Sequence, residues 1–483
     1  MTVESGGYGI VTNIYAYVAL LMVILTFGME TTLFRFANKE GENPQTVYST
    51  TLTMVGGLSL LFALLVLSFL NPIASAMGYA EHPEYVGVMA VTVALDAFQS
   101  IPFAWLRYQH RPIKFFALKM LFIVLNITLN ILYFVVLPAL YVRHAWVGAI
   151  YDPSVGPGYA FILNLACTSF ITFFFIPELT GFKYRFDTRL MKRMLGYSWP
   201  ILILGIAGIL NQTADKIIFP LVYGDAETAK SELHLRCLRE DCMIMAMITQ
   251  AFRYAYEPFV FGKAKDKNSG ETYASAMKFF IIFTLLAYLC VIGYMDILKR
   301  IIAPDYWPGL RVVPIVMAAE IMMGIYFNLS FWYKLIDKTI WGAWFSTAGC
   351  FGPLCGQHRL YPDIQLHGLC LGRFRRIRHS HAPVLHRGTE ENPVRYPLKS
   401  IGIYVLIAGG FYAIMAGTPE EWPVWTRLGI NTVLILLFVG HILKHDLPVR
   451  SLPVIGKYFV NLKNKSNGKQ DKKGTRLPQP VHS

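Results

Sequence analysis

The feature that most constrains this chain is a recurrence: stretches of about 20 mostly apolar residues, the length at which a helix crosses a bilayer, return along most of its 483 residues. They fall near 10–33, 47–70, 85–106, 115–140, 158–178, 196–220, 243–262, 276–297, 309–332, 398–416 and 425–442. No long polar domain separates them. With 54% hydrophobic and 15% charged residues, the chain has too little polar surface for a water-soluble fold. A bilayer admits only helices or closed barrels, and these stretches lack the two-residue alternation of barrel strands. The predicted fold class is therefore all-α, a polytopic transmembrane helical bundle.

The formal net charge of +14 follows from topology. Basic residues mark cytoplasmic loops. Loops carrying Arg107, Arg111 and Lys114, then Lys183, Arg185, Arg189, Lys192 and Arg193, then Lys263, Lys265 and Lys267, alternate with loops poor in them. Residues 71–84 contain none, and "GTPEEWP" is acidic. The rule places Arg35 and Lys39 inside, together with the Lys-rich tail. Only the loop with Lys299, Arg300 and Arg311 runs against the alternation. Anionic lipid headgroups, and no nucleic acid, account for the positive charge.

Two windows break the pattern. From Gln357 to Arg387 the chain turns rich in His and Arg, and "HLRCLREDC", His234 to Cys242, places charges where a span should begin. Cys355, His358, His367 and Cys370, with His379 and His381 beyond, have the spacing of zinc ligands. An ordinary basic loop is a second reading. Translation in a displaced frame is a third: permitted codons for Gln357–Gln365, read one nucleotide later, give Asn-Ile-Val-Phe-Ile-Pro-Ile-Phe, a membrane segment. The same offset turns His234–Cys242 apolar. The displaced frame is the favoured reading, so no metal site is assigned, and the sequence predicts two further spans between about 340 and 390. "MTVESGGYG" carries no basic residue and its end must lie outside, which predicts one more helix upstream. That makes about 14 helices, with 11 visible. A chain so altered is expected to be impaired.

"TFGMETTLFRFANKE", "RYQHRPIKFF" and "YSWPILILGIAGILNQTADKIIFPLVYG", in this order and spacing, are similar to the motifs of the Wzx-type polysaccharide and O-antigen flippases of the multidrug/oligosaccharidyl-lipid/polysaccharide exporter superfamily. The resemblance covers nearly the whole chain outside the two windows. It implies two six-helix lobes around a central cavity and two extra helices: residues 1–180, 181–397 (with 233–242 and 351–391 displaced), 398–446, and a basic cytoplasmic tail at 447–483. It further implies alternating-access flipping of a polyprenyl-pyrophosphate-linked oligosaccharide across the bacterial inner membrane for surface polysaccharide export, with lipopolysaccharide assembly as the setting. The implied partners are that lipid-linked oligosaccharide, membrane lipids and other glycan-assembly membrane proteins. A drug exporter of the same superfamily, or a membrane glycan polymerase or ligase, is the alternative. No phosphate loop, zinc-protease helix, nucleophile elbow or cofactor fingerprint occurs, so neither catalysis nor a cofactor is expected.

Polar groups inside spans are costly and tend to face a cavity or a partner. Asn126 and Asn130 share one helix face, Asn211, Gln212, Asp215 and Lys216 cluster on another span, and Gln250, Arg253 and Glu257 lie on a third. Arg253 and Lys216 suit a pyrophosphate, and the amides suit a glycan. Asp215 beside Lys216, and Glu257 one turn from Arg253, could equally neutralise one another. Asp96 and Glu320 sit mid-span and join Asp215 and Glu257 as candidates for proton or cation coupling. Glu30 and Arg35, near a span end, are expected to set orientation. Pro102, Pro138, Pro177, Pro200, Pro258 and Pro314 are expected to kink or end helices.

Overall fold

The computed structural model describes residues 5–223 except 78, 142, 144–146, 149, 153, 154 and 157; then 245–264, 269–301, 307, 310, 313–344 and 346; and then 394, 396–419 and 422–446, without the side chains of 5–14, 16 and 210–223. Both anomalous windows, with the zinc-spaced cysteines and histidines, and the Lys-rich tail fall outside the described residues.

Local chemistry sets where the helices start and stop. α1 (Ser5–Thr26) is interrupted at Phe27 (φ 51°) and Gly28 (φ 68°) before α2 (Met29–Ala37). The predicted span at 10–33 is thus two helices joined at a break. Gly28 is required there twice over: its φ is left-handed, and a Cβ would stand 2.8 Å from Ile201 Cγ2. Asn43 caps α3 (Pro44–Ser68), its Oδ1 accepting from the Gln45 amide at 2.9 Å, with Pro44 at the first helical position. α4 (Leu70–Ala76) leads to α5 (Pro83–Tyr108), which runs straight through Pro102. A tight turn with His110 at φ 55° and Pro112 starts α6 (Pro112–Ile131). A π turn over Leu132–Val136 carries α6 into α7 (Leu137–Tyr141).

The predicted span at 158–178 is broken as well: α8 (Gly158–Phe173) stops, and α9 (Ile176–Thr180) restarts with Pro177 in its first turn. α10 (Thr188–Tyr223) is followed by α11 at residues 245–263, then α12 (Ser269–Gly293) and α13 (Met295–Leu298). α14 (Val313–Leu329), α15 (Phe331–Leu335), a short helical stretch at 340–344, α16 (Leu398–Ala416) and α17 (Val424–His445) follow.

No strand occurs among the described residues, and eight helical stretches there are long and apolar enough to cross a membrane. A described helix covers most of each of the 11 predicted spans, with breaks inside several of them, as at Phe27–Gly28 and Phe174–Phe175. Leu60, Leu61, Leu64 and Leu65 on α3, and Phe116, Ile123, Val124 and Ile127 on α6, are exposed stripes at helical spacing, the faces a bilayer would cover. α1, α3, α5, α6 and α8 pack into a first bundle, and α12, α14, α16 and α17 into a second. Through Tyr197, which donates from Oη to Lys334 O, α10 reaches the second half, and it packs along α1, α2 and α3. Gly205 permits this, since a Cβ would meet Val23 Cγ1 at 2.8 Å; lipid gives helices no hydrophobic drive to associate, so close backbone approach carries the packing.

At the end of the bundle holding α2, one apolar cluster draws on both bundles. Leu33, Phe34, Tyr48 and Trp105 meet Tyr197, Tyr256, Phe261 and Phe331 there, and the two halves are closed together.

Candidate functional site

The α5–α6 turn returns the chain so that Arg107, in the last turn of α5, and Lys119, on α6, face one cavity of about 230 Å³. Glu30 of α2, Asp96, Gln99 and Ser100 of α5, and Tyr254 of α11 also line it, with Phe103, Phe115 and Phe122 among its apolar walls. Every helix that lines the cavity belongs to the first bundle apart from α2 and α11.

Arg107 is the centre of the site. Its side chain is 6% exposed, and its Nη2 donates to Glu30 Oε2 at 2.9 Å. Three rings surround the guanidinium: Phe34 at 5.1 Å, Phe115 at 5.7 Å and Tyr254 at 4.9 Å from their centroids. Its Nε and Nη1 are buried without a hydrogen-bond partner. A buried donor left unpaired costs about 1–3 kcal/mol, which cation–π contacts of about 0.5–2 kcal/mol each offset in part. The guanidinium therefore keeps two strong donors for a group that enters the cavity.

Lys119 adds a second positive charge; its Nζ lies 4.1 Å from the Phe103 ring centroid. Asp96 accepts a hydrogen bond from Thr168 Oγ1 at 3.1 Å. Gln99 is fully employed between helices, its Nε2 donating to Thr168 O and Thr172 Oγ1 at 2.7 Å each, so it fixes α5 against α8. The cavity is smaller than the roughly 300 Å³ lower bound for drug-sized ligands. It is sized for a small charged group, and any larger attachment must extend from it.

A second buried cluster lies where α2 meets α11. Glu257 is 2% exposed and accepts a hydrogen bond from Thr31 Oγ1. Lys334, equally buried, sets its Nζ 4.8 Å from both the Phe327 and Phe331 rings, while Tyr197 Oη donates to its carbonyl at 2.9 Å. Arg253 lies over the Phe327 ring at 4.8 Å. At the rim, Asp337 (φ 59°) accepts from Arg35 Nε at 2.7 Å and from Lys39 Nζ at 3.0 Å. Burial alone would raise the Asp337 carboxyl; the hydrogen bonds and charges of Arg35 and Lys39 outweigh it and hold the group below the usual carboxylate range.

Of the residues predicted from sequence, Asp96 lines the cavity. Arg253 and Glu257 lie on α11 in the second cluster. Asn126 and Asn130 are outside the cavity wall and bond to each other, Asn130 Nδ2 donating to Asn126 Oδ1 at 3.0 Å. Glu320 is buried on α14, also outside the wall. Asn211, Gln212, Asp215 and Lys216 sit on the helical backbone of α10, but their side chains fall outside the described residues. Glu30, expected to set orientation, also lines the cavity. Arg107, Lys119 and Lys334 escaped notice because each reads as a loop-flanking charge, and the Glu30–Arg107 pairing joins positions 77 apart.

The model of the family described as "Polysaccharide biosynthesis protein" matches residues 2–252. Among solved structures, the fold is similar to an outward-facing multidrug resistance MATE family transporter of the MOP superfamily, with a TM-score of 0.63 at 11% identity over 81% of this chain and 88% of that one. A Vibrio cholerae MATE transporter in the bent form gives a TM-score of 0.60 at 14% identity over 81% and 90%. None of the curated proteins compared with the chain is significantly similar in sequence. Its own sequence over more than half its length and its all-helical membrane fold lead to one conclusion: the chain belongs to the polysaccharide biosynthesis protein family, with the fold of the MOP superfamily.

Proposed function

We propose that this membrane protein moves a lipid-linked oligosaccharide across the inner membrane and holds the diphosphate of that lipid on Arg107. The single observation that carries the reading is the pair of unpartnered guanidinium donors, buried over a cavity too small for a glycan. A diphosphate is anionic, compact and rich in acceptors, and guanidinium matches phosphate oxygens in geometry as well as charge. Lys119 supplies a second cation on the facing wall. The glycan and the isoprenyl chain leave the cavity in opposite senses, the first toward water and the second toward the exposed faces of α3 and α6. Alternating exposure follows from closure at the α2 end, which on the loop charges is the cytoplasmic end. No bond is made or broken in this scheme.

Loss of the protein should trap lipid-linked oligosaccharide on the cytoplasmic leaflet. In a cell supplied with an Arg107→Ala variant at the level of the unaltered chain, the trapped pool should persist. The MATE neighbours favour a second reading, export of small organic molecules, with Glu30 and Asp96 facing a cation. Under that reading the trapped pool never forms, and only tolerance to toxic cations changes.

A further inference from the structure

We infer that Glu30 is a built-in competitor for the ligand anion, and that its displacement from Arg107 releases α2 from α11 and from Asp337. The inference rests on the diphosphate reading above and goes beyond it by assigning a coupling role to a residue that needs no contact with the glycan.

Glu30 makes its one ion pair among the described residues with Arg107, and its side chain stays 30% exposed. It is therefore an anion already seated on the guanidinium that the ligand needs. Two anions cannot share that position cheaply, because like charges brought close together in a partly buried site repel. A diphosphate carries more charge than one carboxylate and also draws on Lys119. It is the stronger partner, and Glu30 yields.

What Glu30 is attached to gives the displacement its consequence. α2 has nine residues and follows the left-handed pair Phe27 and Gly28, a break in the helix that divides it from α1. The next residue, Thr31, holds Glu257 of α11, and further along Arg35 and Lys39 hold Asp337 beyond α15. The same short helix thus touches the ligand's cation at one position and holds α11 and Asp337 at three others. α11 reads the cavity as well, since its Tyr254 covers Arg107 three residues before Glu257. An anion on Arg107 pushes Glu30 away, tilts α2 about Gly28 and weakens the closure.

The experiment uses the full chain in lipid nanodiscs with farnesyl diphosphate as the probe. Calorimetry gives the affinity, and hydrogen–deuterium exchange follows the backbone amides of residues 29–40. Saturating probe should speed exchange in α2 of the unaltered chain. In Glu30→Gln, exchange should be fast before probe is added, and the probe should bind about tenfold tighter. Thr31→Val touches no ligand but weakens the same closure. Coupling is reciprocal, so this variant too should bind about threefold tighter, whereas a purely structural Thr31 would leave affinity unchanged. Probe that binds the unaltered chain without changing α2 exchange, or unchanged affinity in Thr31→Val, overturns the coupling and leaves the diphosphate reading standing. No binding to the unaltered chain overturns the diphosphate reading itself.

Discussion

At the scale of single residues, the cavity separates two kinds of polar group. Gln99 spends its amide on Thr168 and Thr172, and Asn130 spends its own on Asn126; both are satisfied, and satisfied amides hold helices together. Arg107 is unsatisfied at two nitrogens, and among the described residues Lys119 makes a ring contact and no hydrogen bond. A Lys119→Gln substitution should therefore weaken farnesyl diphosphate binding about tenfold or more, the cost of one charge-assisted contact of roughly 1.5–3 kcal/mol. Asn130→Ala should leave that affinity unchanged, and titration calorimetry on the two variants side by side checks both. The sequence displayed the amides plainly, as polar residues inside apolar runs. Arg107 was visible too, but the same residue serves as a topological charge in a loop or as a buried ligand, and only the fold of α5 past Pro102 decides between them.

At the scale of elements, the α2 closure has a pH dependence with a definite sign. Asp337 is held below the usual carboxylate range by Arg35 and Lys39, so it supports closure at every pH above its unfolded value and that support fades as pH falls through the lower folded value. Amide exchange in residues 335–340 should stay flat from pH 8 to 5, after correction for the intrinsic rate, and rise only below about pH 4. Such pairing was beyond the sequence, because Arg35 and Asp337 are 302 positions apart and the pattern of apolar residues fixes where helices lie but not which ends meet. The breaks at Phe27–Gly28 and Phe174–Phe175 were missed for a related reason. Hydropathy runs unbroken through both, while a left-handed φ at Gly28 and a turn before Pro177 are set by close packing and backbone sterics.

At the scale of the whole molecule, the cavity draws on α1, α2, α5, α6, α8 and α11, whereas α16 and α17 belong to a separate set of contacts. The all-helical bundle and the positions of its spans were legible from hydropathy because burial in lipid imposes one length scale on every span. How the last helices are fastened was not. Ion pairs at both ends staple α17 to α12 and α13: Lys278 of α12 with Asp446 at the α17 C-cap, which also accepts from Tyr404, and Asp296 of α13, which holds Arg427 and, at 2.6 Å, Lys299. These groups are largely removed from solvent, and breaking such a pair leaves a charge uncompensated. Lys278→Ala should accordingly lower stability by roughly 1–3 kcal/mol, visible as a drop in the thermal unfolding midpoint in nanodiscs. Because the staple shares no lining residue with the cavity, the same variant should bind farnesyl diphosphate with unchanged affinity, as expected of independent sites. A lost affinity would mean that α12 and its partners communicate with Arg107 through α11, and the terminal helices would then count as part of the transport machinery rather than as a fixed flank.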